Sequence, residues 1–219
     1  MKKVLLSWSS GKDSAWVLHQ LQQDPAIEVV ALVTSFNQEA RRVAMHAERR
    51  ELVEAQAEAA GLPLWAVDLP WPCTNAGYEE RMSALWQRAV KEGIQAVAFG
   101  DLFLEDIRAY RLRQLAPYPL EPLFPAWGIP TAKLARDMIS SGIRARLTCV
   151  DPRQIPRELA GREFDAALLN DLPATADPCG ENGEFHTFVH EAPCFQHPIP
   201  TTPGITVERD GFLFFDLTP

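Results

Sequence analysis

The chain has 219 residues, of which 47% are hydrophobic and 23% charged, enough for one sizeable core or a large domain with a smaller partner, and too apolar for disorder over most of its length. Its 29 acidic and 21 basic residues leave a net charge of −8 with no dense Lys/Arg block, so a protein built to live on nucleic-acid or membrane phosphate is not expected. No apolar stretch approaches the roughly 20 residues of a membrane span, and Cys73, Cys149, Cys179 and Cys194 contain no Cys-x-x-Cys pair, which suits a reducing cytoplasm.

Met1 to Leu6 begins like a secretory leader, but the apolar run ends at Ser7 without a cleavage site, so Lys3 to Trp8 is read as a strand. Ser14 to Gln23 is the first helix, with Trp16, Val17, Leu18 and Leu21 as its larger apolar positions. Glu28 to Thr34 is a β-branched, apolar run that fits a strand buried on both faces. Glu48 to Ala60 is rich in Ala, Glu and Leu and reads as a helix, closed by Gly61 where the chain turns left-handed. Leu64 to Leu69 is a third strand. Thr74 or Asn75 caps a long helix that runs to about Lys91 and stops at Gly93, and Ala96 to Phe99 is a fourth strand. Alternation at this pitch predicts parallel βαβ units and a doubly wound α/β sheet with helices on both faces.

Near residue 115 the texture changes. Pro117, Pro119, Pro122, Pro125 and Pro130 crowd one segment, which reads as a joint between a domain at 1–120 and a smaller α+β part at 121–219. Beyond it a helix is predicted over Lys133–Ser141, a strand over Arg144–Val150, a helical stretch over Asp165–Leu172, and a hairpin over Ile205–Leu217 turning at Asp210-Gly211.

The chemistry concentrates in the loop after the first strand, Ser9-Ser10-Gly11-Lys12-Asp13-Ser14. In an open parallel sheet, ligands bind at the carboxyl ends of the strands, where the next helix begins. Gly11 is expected to allow backbone angles that other residues resist; the N–H groups at the helix start favour an anion; Ser9, Ser10, Ser14 and Lys12 add donors. This is a phosphate cradle. It is not a Walker A loop, which needs Gly at position 6, where Leu6 stands, and Ser or Thr directly after Lys12, where Asp13 stands. Nor is it a Gly-x-Gly-x-x-Gly dinucleotide loop, since only Gly11 is present.

Ser-x-Gly-Lys-Asp-Ser after an N-terminal strand resembles the pyrophosphate loop of the N-type ATP pyrophosphatases, the adenine nucleotide α-hydrolase-like (HUP) superfamily, with Ser10 in place of the usual Gly. Further segments resemble the diphthine–ammonia ligase family: Phe99-Gly100-Asp101-Leu102-Phe103-Leu104-Glu105-Asp106 with Arg108 and Arg111; Pro122-Leu123-Phe124, usually Pro-Leu-Trp; Arg42-Val43-Ala44-Met45-His46 with Gln56-Ala57; and the Gly180-Glu181-Asn182-Gly183-Glu184 block with Phe185, His186 and Thr187 behind it. The resemblance runs from about residue 3 to 190, and the wording is closer to compact bacterial-type members than to the diphthamide enzymes. It implies that ATP adenylates a carboxylate, that pyrophosphate leaves, and that ammonia then displaces AMP to give an amide. The acceptor would be a small-molecule or protein-bound carboxylate, on a protein free of membrane and nucleic acid and compatible with a homo-oligomer.

On that resemblance, Ser9, Ser10, Gly11, Lys12, Asp13, Ser14, Gly100 and Asp101 bind ATP, Asp13 and Asp101 hold Mg²⁺, and Lys12, Asp13, Glu181 and Glu184 carry the chemistry. Donors fixed around a leaving pyrophosphate stabilise the transition state, and a carboxylate such as Glu181 or Glu184 can orient ammonia or take its proton. The lesser alternative for Asp101 is a helix cap after the fourth strand. Cys179 reads as a nucleophile or, more readily, a buried small residue. His186 and His190 lack the Glu of a His-Glu-x-x-His zinc site. Arg108 and Arg111 suit a phosphate or carboxylate contact and suit a helix-surface ion pair as well. His46 reads equally as a site residue and as a satisfied histidine. Two other readings of the loop stay open here: a tRNA-modifying ATP pyrophosphatase of thiolase or lysidine type, and a non-catalytic nucleotide-sensing module.

Overall fold

The computed structural model describes residues 1–43 and 48–219; Ala44, Met45 and His46, noted above, lie outside the described residues. The first part runs β1 (Lys2–Ser7), α1 (Lys12–Gln23), β2 (Ile27–Asn37), β3 (Arg42–Val43), α2 (Arg50–Ala59), β4 (Leu64–Leu69), α3 (Asn75–Lys91), β5 (Ala96–Ala98), α4 (Glu105–Leu115) and β6 (Glu121–Leu123). The second runs α5 (Thr131–Ser141), β7 (Arg144–Val150), α6 (Ala166–Asp171), β8 (Phe185–Glu191), β9 (Thr202–Arg209) and β10 (Phe212–Thr218).

Five strands of the first sheet are parallel in the order β4-β2-β1-β5-β6, and β3 pairs antiparallel with the end of β2. Phe36 and Asn37 bond β4 on one edge and β3 on the other, so β3 continues the row of β1 beyond its end. Alternate residues face opposite ways, as a strand requires. Val4 and Leu6 join a core with Val17, Leu18, Val53 and Ala57 of α1 and α2, while Leu5 joins another with Met82, Leu85 and Trp86 of α3. Helices therefore cover both faces, and the sheet is doubly wound. The chain proceeds outward from β1 to β2 and β4, then returns to the other side of β1 for β5 and β6. The point of reversal is between β1 and β5. Crevices at such points hold ligands in doubly wound folds.

The second sheet is antiparallel, in the order β8-β7-β10-β9. The expected hairpin turns at Asp210 and Gly211, both at positive φ, and Asp165 caps α6 by accepting from the Leu168 N–H. The Thr74 hydroxyl caps α3 by accepting from the Gly77 N–H. Leu134 and Met138 of α5 and Leu147 and Val189 of β7 and β8 share one core with α1.

Three elements depart from the sequence reading. The helix expected from Glu48 starts at Arg50, because Glu48 O accepts from the Val43 N–H and Arg42 bridges Arg49, which holds these residues extended. Helix α4 is allowed by the readings of Asp101, Arg108 and Arg111 but has no predicted range, because Leu115 is its single buried residue and no apolar stripe marks it; its N-cap is Leu104, not Asp101. The proline-rich joint contains β6, whose Pro122 sits opposite Val97. An edge strand tolerates a residue without an N–H, which a central strand would not.

Candidate active site

A cavity of about 280 Å³ opens at the carboxyl ends of β1 and β5. Its lining includes Ser9, Gly11, Lys12, Asp13 and Ser14 from the loop and the start of α1, and Gly100, Asp101 and Arg111 from the β5–α4 side. The second part closes it with Cys179, Gly180, Glu181, His186 and Thr187.

The loop is built differently from expectation in one respect. Gly11 has φ −89° and ψ 172°, extended backbone open to any residue, and the positive φ of 68° falls on Ser10. Ser10 thus adopts the left-handed conformation that the usual Gly takes without cost. Gly11 is needed for space instead. A Cβ there would lie 3.1 Å from Thr187 O and 3.4 Å from Thr187 Oγ1. Gly100 is also a close approach, since its Cβ would lie 3.2 Å from Ser14 N.

These approaches clamp the loop between the two sheets. The Lys12 N–H donates to Thr187 Oγ1 at 3.1 Å, and the Val189 N–H donates to Ser10 O at 3.0 Å. Gln56 Nε2 donates to Ser10 O and Val189 O at 3.0 and 2.7 Å, while its Oε1 accepts from Trp8 Nε1 at 2.8 Å. Ser14 Oγ donates to Gly11 O at 2.9 Å and lies 3.3 Å from Ser9 Oγ. Ser10 is fully buried and its hydroxyl donates to Ser9 O, so it shapes the loop from behind the cavity wall.

Lys12 is buried, with Nζ 3.0 Å from Asp13 Oδ2 and over the rings of Phe164 and Phe185 at 5.5 and 5.3 Å. Burial is the largest single influence and works against its ammonium, but the charge and hydrogen bond of Asp13, with Cys179 and Glu181, together outweigh it and hold the Lys12 pKa above the ordinary lysine value. Burial likewise raises the Asp13 carboxyl, against the pull of Lys12. Asp13 Oδ1 is buried with no hydrogen-bond partner. Asp101 Oδ2 accepts from Arg111 Nε at 3.4 Å, and that guanidinium lies 5.0 Å above the Phe99 ring. Arg111 thus forms the ion pair that the sequence allowed, and it also lines the cavity. Arg108 rests on Phe124 and Trp127 instead.

The Gly-Glu-Asn-Gly-Glu block separates its two glutamates. Glu181 faces the cavity, and its Oε1 accepts from the Leu102 N–H at 2.8 Å, tying the block to the Gly-Asp segment. Burial, reinforced by Asp13 and Asp101, pushes its carboxyl up to about 7 against the pull of that N–H and of Lys12. Glu184 is buried behind the wall, where Oε1 accepts from the Asp177 N–H at 2.7 Å and from Asn182 Nδ2 at 3.3 Å. Gly180 and Gly183, at φ 70° and 86°, make the turns that send the two side chains apart.

His186 was considered only as a zinc ligand, yet it lines the cavity. Burial first, and Lys12 second, push its pKa down to about 4, so the ring is neutral at physiological pH. His190 instead pairs with Glu163 at 2.9 Å. Cys179 is buried, its thiol is held well above the ordinary range by burial, and Sγ donates to Thr131 O at 3.5 Å; it is a packing residue and no thiolate nucleophile.

Among the described residues no three His, Cys, Asp or Glu side chains cluster as a ready metal site. Mg²⁺ differs from zinc here, since it takes one or two carboxylates and fills its sphere with phosphate and water. The orphaned, buried Asp13 Oδ1 and the neighbouring Asp101 fit that donor set. The helix start and Lys12 fit a polyphosphate.

Residues 1–114 match the family model of the diphthamide synthase N-terminal domain, and residues 130–209 that of the diphthamide synthase C-terminal domain. A diphthine–ammonia ligase of Danio rerio is 28% identical over 166 residues, covering 68% of this chain and 64% of that protein. One of Schizosaccharomyces pombe is 26% identical over 230 residues, covering 95% of this chain and 38% of that protein. The chain therefore spans less than two thirds of the length of these curated relatives. Among solved structures, the U34-tRNA thiolase NcsA of Methanococcus maripaludis with its 4Fe–4S cluster overlaps at a TM-score of 0.37 and 17% identity, covering 64% of this chain and 56% of that one.

Proposed function

The chain belongs to the diphthamide synthase family, and on that premise we propose that it is an AMP-forming ligase that adenylates a carboxylate and converts it to an amide with ammonia. The observation that carries the proposal is the cavity in which Lys12, Asp13 and the start of α1 face Glu181 and His186 across the two sheets.

ATP lies with its phosphates on the first turn of α1, among Ser9, Gly11, Lys12 and Ser14, and beside Gly100. An oxygen of the acceptor carboxylate attacks the α-phosphorus and the bond to the β-phosphate breaks. The leaving pyrophosphate takes up the negative charge, which Lys12 and the helix start are positioned to meet. Ammonia then attacks the activated carbonyl, the bond to AMP breaks, and Glu181 accepts the proton that the new amide nitrogen sheds. A carboxyl that titrates near 7 is suited to that exchange. Asp13 and Asp101 would hold Mg²⁺, which supplies charge neutralisation for the phosphates when bound. Glu184 acts as a positioning residue through Asp177 and Asn182. In this scheme the part built on the first sheet holds the nucleotide, the part built on the second sheet presents the acceptor, and the reaction runs in the cytoplasm. Persulfide chemistry of the thiolase kind has less support, because burial holds the Cys149, Cys179 and Cys194 thiols protonated.

The test is release of AMP and pyrophosphate from ATP and Mg²⁺ with ammonium and a panel of carboxylic acids. Turnover with at least one acid is expected, and Lys12→Ala should lower it by about 10²-fold or more without loss of folded signal in circular dichroism. ATP binding without AMP from any acceptor, or full activity in Lys12→Ala, would overturn the ligase reading.

A further inference from the structure

A second cavity, of about 300 Å³, lies between α2 and the β9–β10 hairpin. It is apart from the site above, whose lining it does not share. Leu52 of α2 lines it, one helical turn before the Gln56 that holds the loop. Its walls are otherwise largely apolar, with Phe214, Phe215 and Leu217 of β10 opposite Ile205 and Val207 of β9. Ile205 and Val207 are exposed, an unusual cost for large apolar side chains on an edge strand.

Glu48 is built into this greasy surround, although it is only 5% exposed. Its Oε1 accepts from Thr148 Oγ1 at 2.6 Å, but Oε2 is buried with no hydrogen-bond partner. A carboxylate oxygen left unpaired in such a place is costly. Burial accordingly pushes the Glu48 carboxyl up to about 8, so that it holds a proton at neutral pH. A single missing donor would satisfy it. Around the cavity stand Arg42, Arg49 and Arg209, with Asp216 as the other carboxylate in the lining. Arg42 and Arg49 both bind Asp216, at 3.0 and 2.5 Å, whereas Arg209 lies 4.8 Å above the Phe214 ring. With Glu48 protonated, three guanidiniums face the single charged carboxylate of Asp216, so the lining is net positive, and Arg209 is the one of the three that does not bind Asp216.

We propose that this cavity binds a small zwitterion with an apolar body, an amino acid with a hydrophobic side chain, whose ammonium donates to Glu48 Oε2 and whose carboxylate meets Arg209. The size agrees with the lower range of small-molecule sites, which are mostly apolar with a few placed polar groups. Only a ligand that supplies a nitrogen donor, an apolar body and an anion satisfies all three features.

The probes are L-leucine and L-phenylalanine, the amines that lack their carboxylate, and the acids that lack their amino group. Binding to the full chain is measured by calorimetry without ATP, so the outcome is independent of the ligase reading. An amino acid is expected to bind at submillimolar to millimolar concentration. The deaminated acid should bind about tenfold or more weaker, since a buried charge-assisted hydrogen bond is lost. The decarboxylated amine should bind several-fold weaker, and Arg209→Ala should erase that difference. Glu48→Gln should abolish discrimination between amino acid and deaminated acid. If no amino acid binds, or if the deaminated acid binds as well as the amino acid to the unaltered chain, the proposal falls, whatever the variants do.

Discussion

Two neighbouring residues in the phosphate loop exchange the roles that their identities suggest. Ser10 carries the left-handed backbone at φ 68°, while Gly11 leaves room for the strand that crosses it. Opposite outcomes follow for small substitutions. Ser10→Gly removes a strained conformation worth about 1 kcal/mol and loses only one local hydroxyl bond, so the urea midpoint should hold or rise. Gly11→Ala adds a methyl 3.1 Å from the Thr187 carbonyl and should cost about 1–3 kcal/mol in the same titration, with nucleotide binding weakened. Equal effects of the two changes would refute this assignment. Ser9-to-Ser14 was legible as a phosphate loop from residue types alone. The division of labour inside it was not, because Thr187 is remote in sequence.

At the scale of elements, the site depends on loops from the two sheets meeting at Glu181 and the Leu102 N–H. Burial raises Glu181 from the ordinary glutamate value of 4.5 to about 7. Two consequences have defined signs. At constant free ammonia, the activated-carbonyl step should gain rate as pH rises through about 7, and that limb should vanish in Glu181→Gln in a pH profile of amide formation. In the ligand-free protein the folded form keeps this proton to about 7, while the unfolded chain releases it near 4.5. The stabilisation is therefore fully present below 4.5 and is lost as pH rises through 7. Urea midpoints across that window should decline less in Glu181→Gln than in the unaltered chain. The strands were legible as elements because the central ones are continuous apolar runs. The bounds of helix α4 and the whole of strand β6 escaped for opposite reasons, one lacking an apolar stripe and the other carrying a proline that only an edge position accommodates.

Across the whole molecule, the Gln56 side chain is the fastener between the two sheets. It is fully buried and bonds the loop at Ser10, strand β8 at Val189, and Trp8 after β1. Gln56→Leu keeps the size and leaves Trp8 Nε1 and Val189 O without this partner. At about 1–3 kcal/mol for each orphaned group, the loss should total about 2–6 kcal/mol. The urea midpoint should fall with the slope unchanged and the transition still single, because a continuous core joins α1 to β7 and β8. An unchanged midpoint would show that Gln56 contributes nothing to holding the sheets together.

The sequence by itself determined the elements with strong periodicity, the doubly wound sheet and the loop whose residue types suit a phosphate, since these depend on neighbours within a few residues of one another. Its Gly-Asp and Gly-Glu-Asn-Gly-Glu segments also pointed to the family that the domain models match. Only the tertiary structure decided which member of each segment faces the cavity. Glu181 and His186 turn toward Lys12, Glu184 and Ser10 turn away, and Gly11 is small because Thr187 arrives 176 positions later in the chain (187 − 11). The same is true of Glu48, which reads as the start of a helix and is instead buried among apolar side chains that come from the other end of the chain. Side-chain direction and desolvation depend on contacts between distant segments, and local sequence preference carries no information about them.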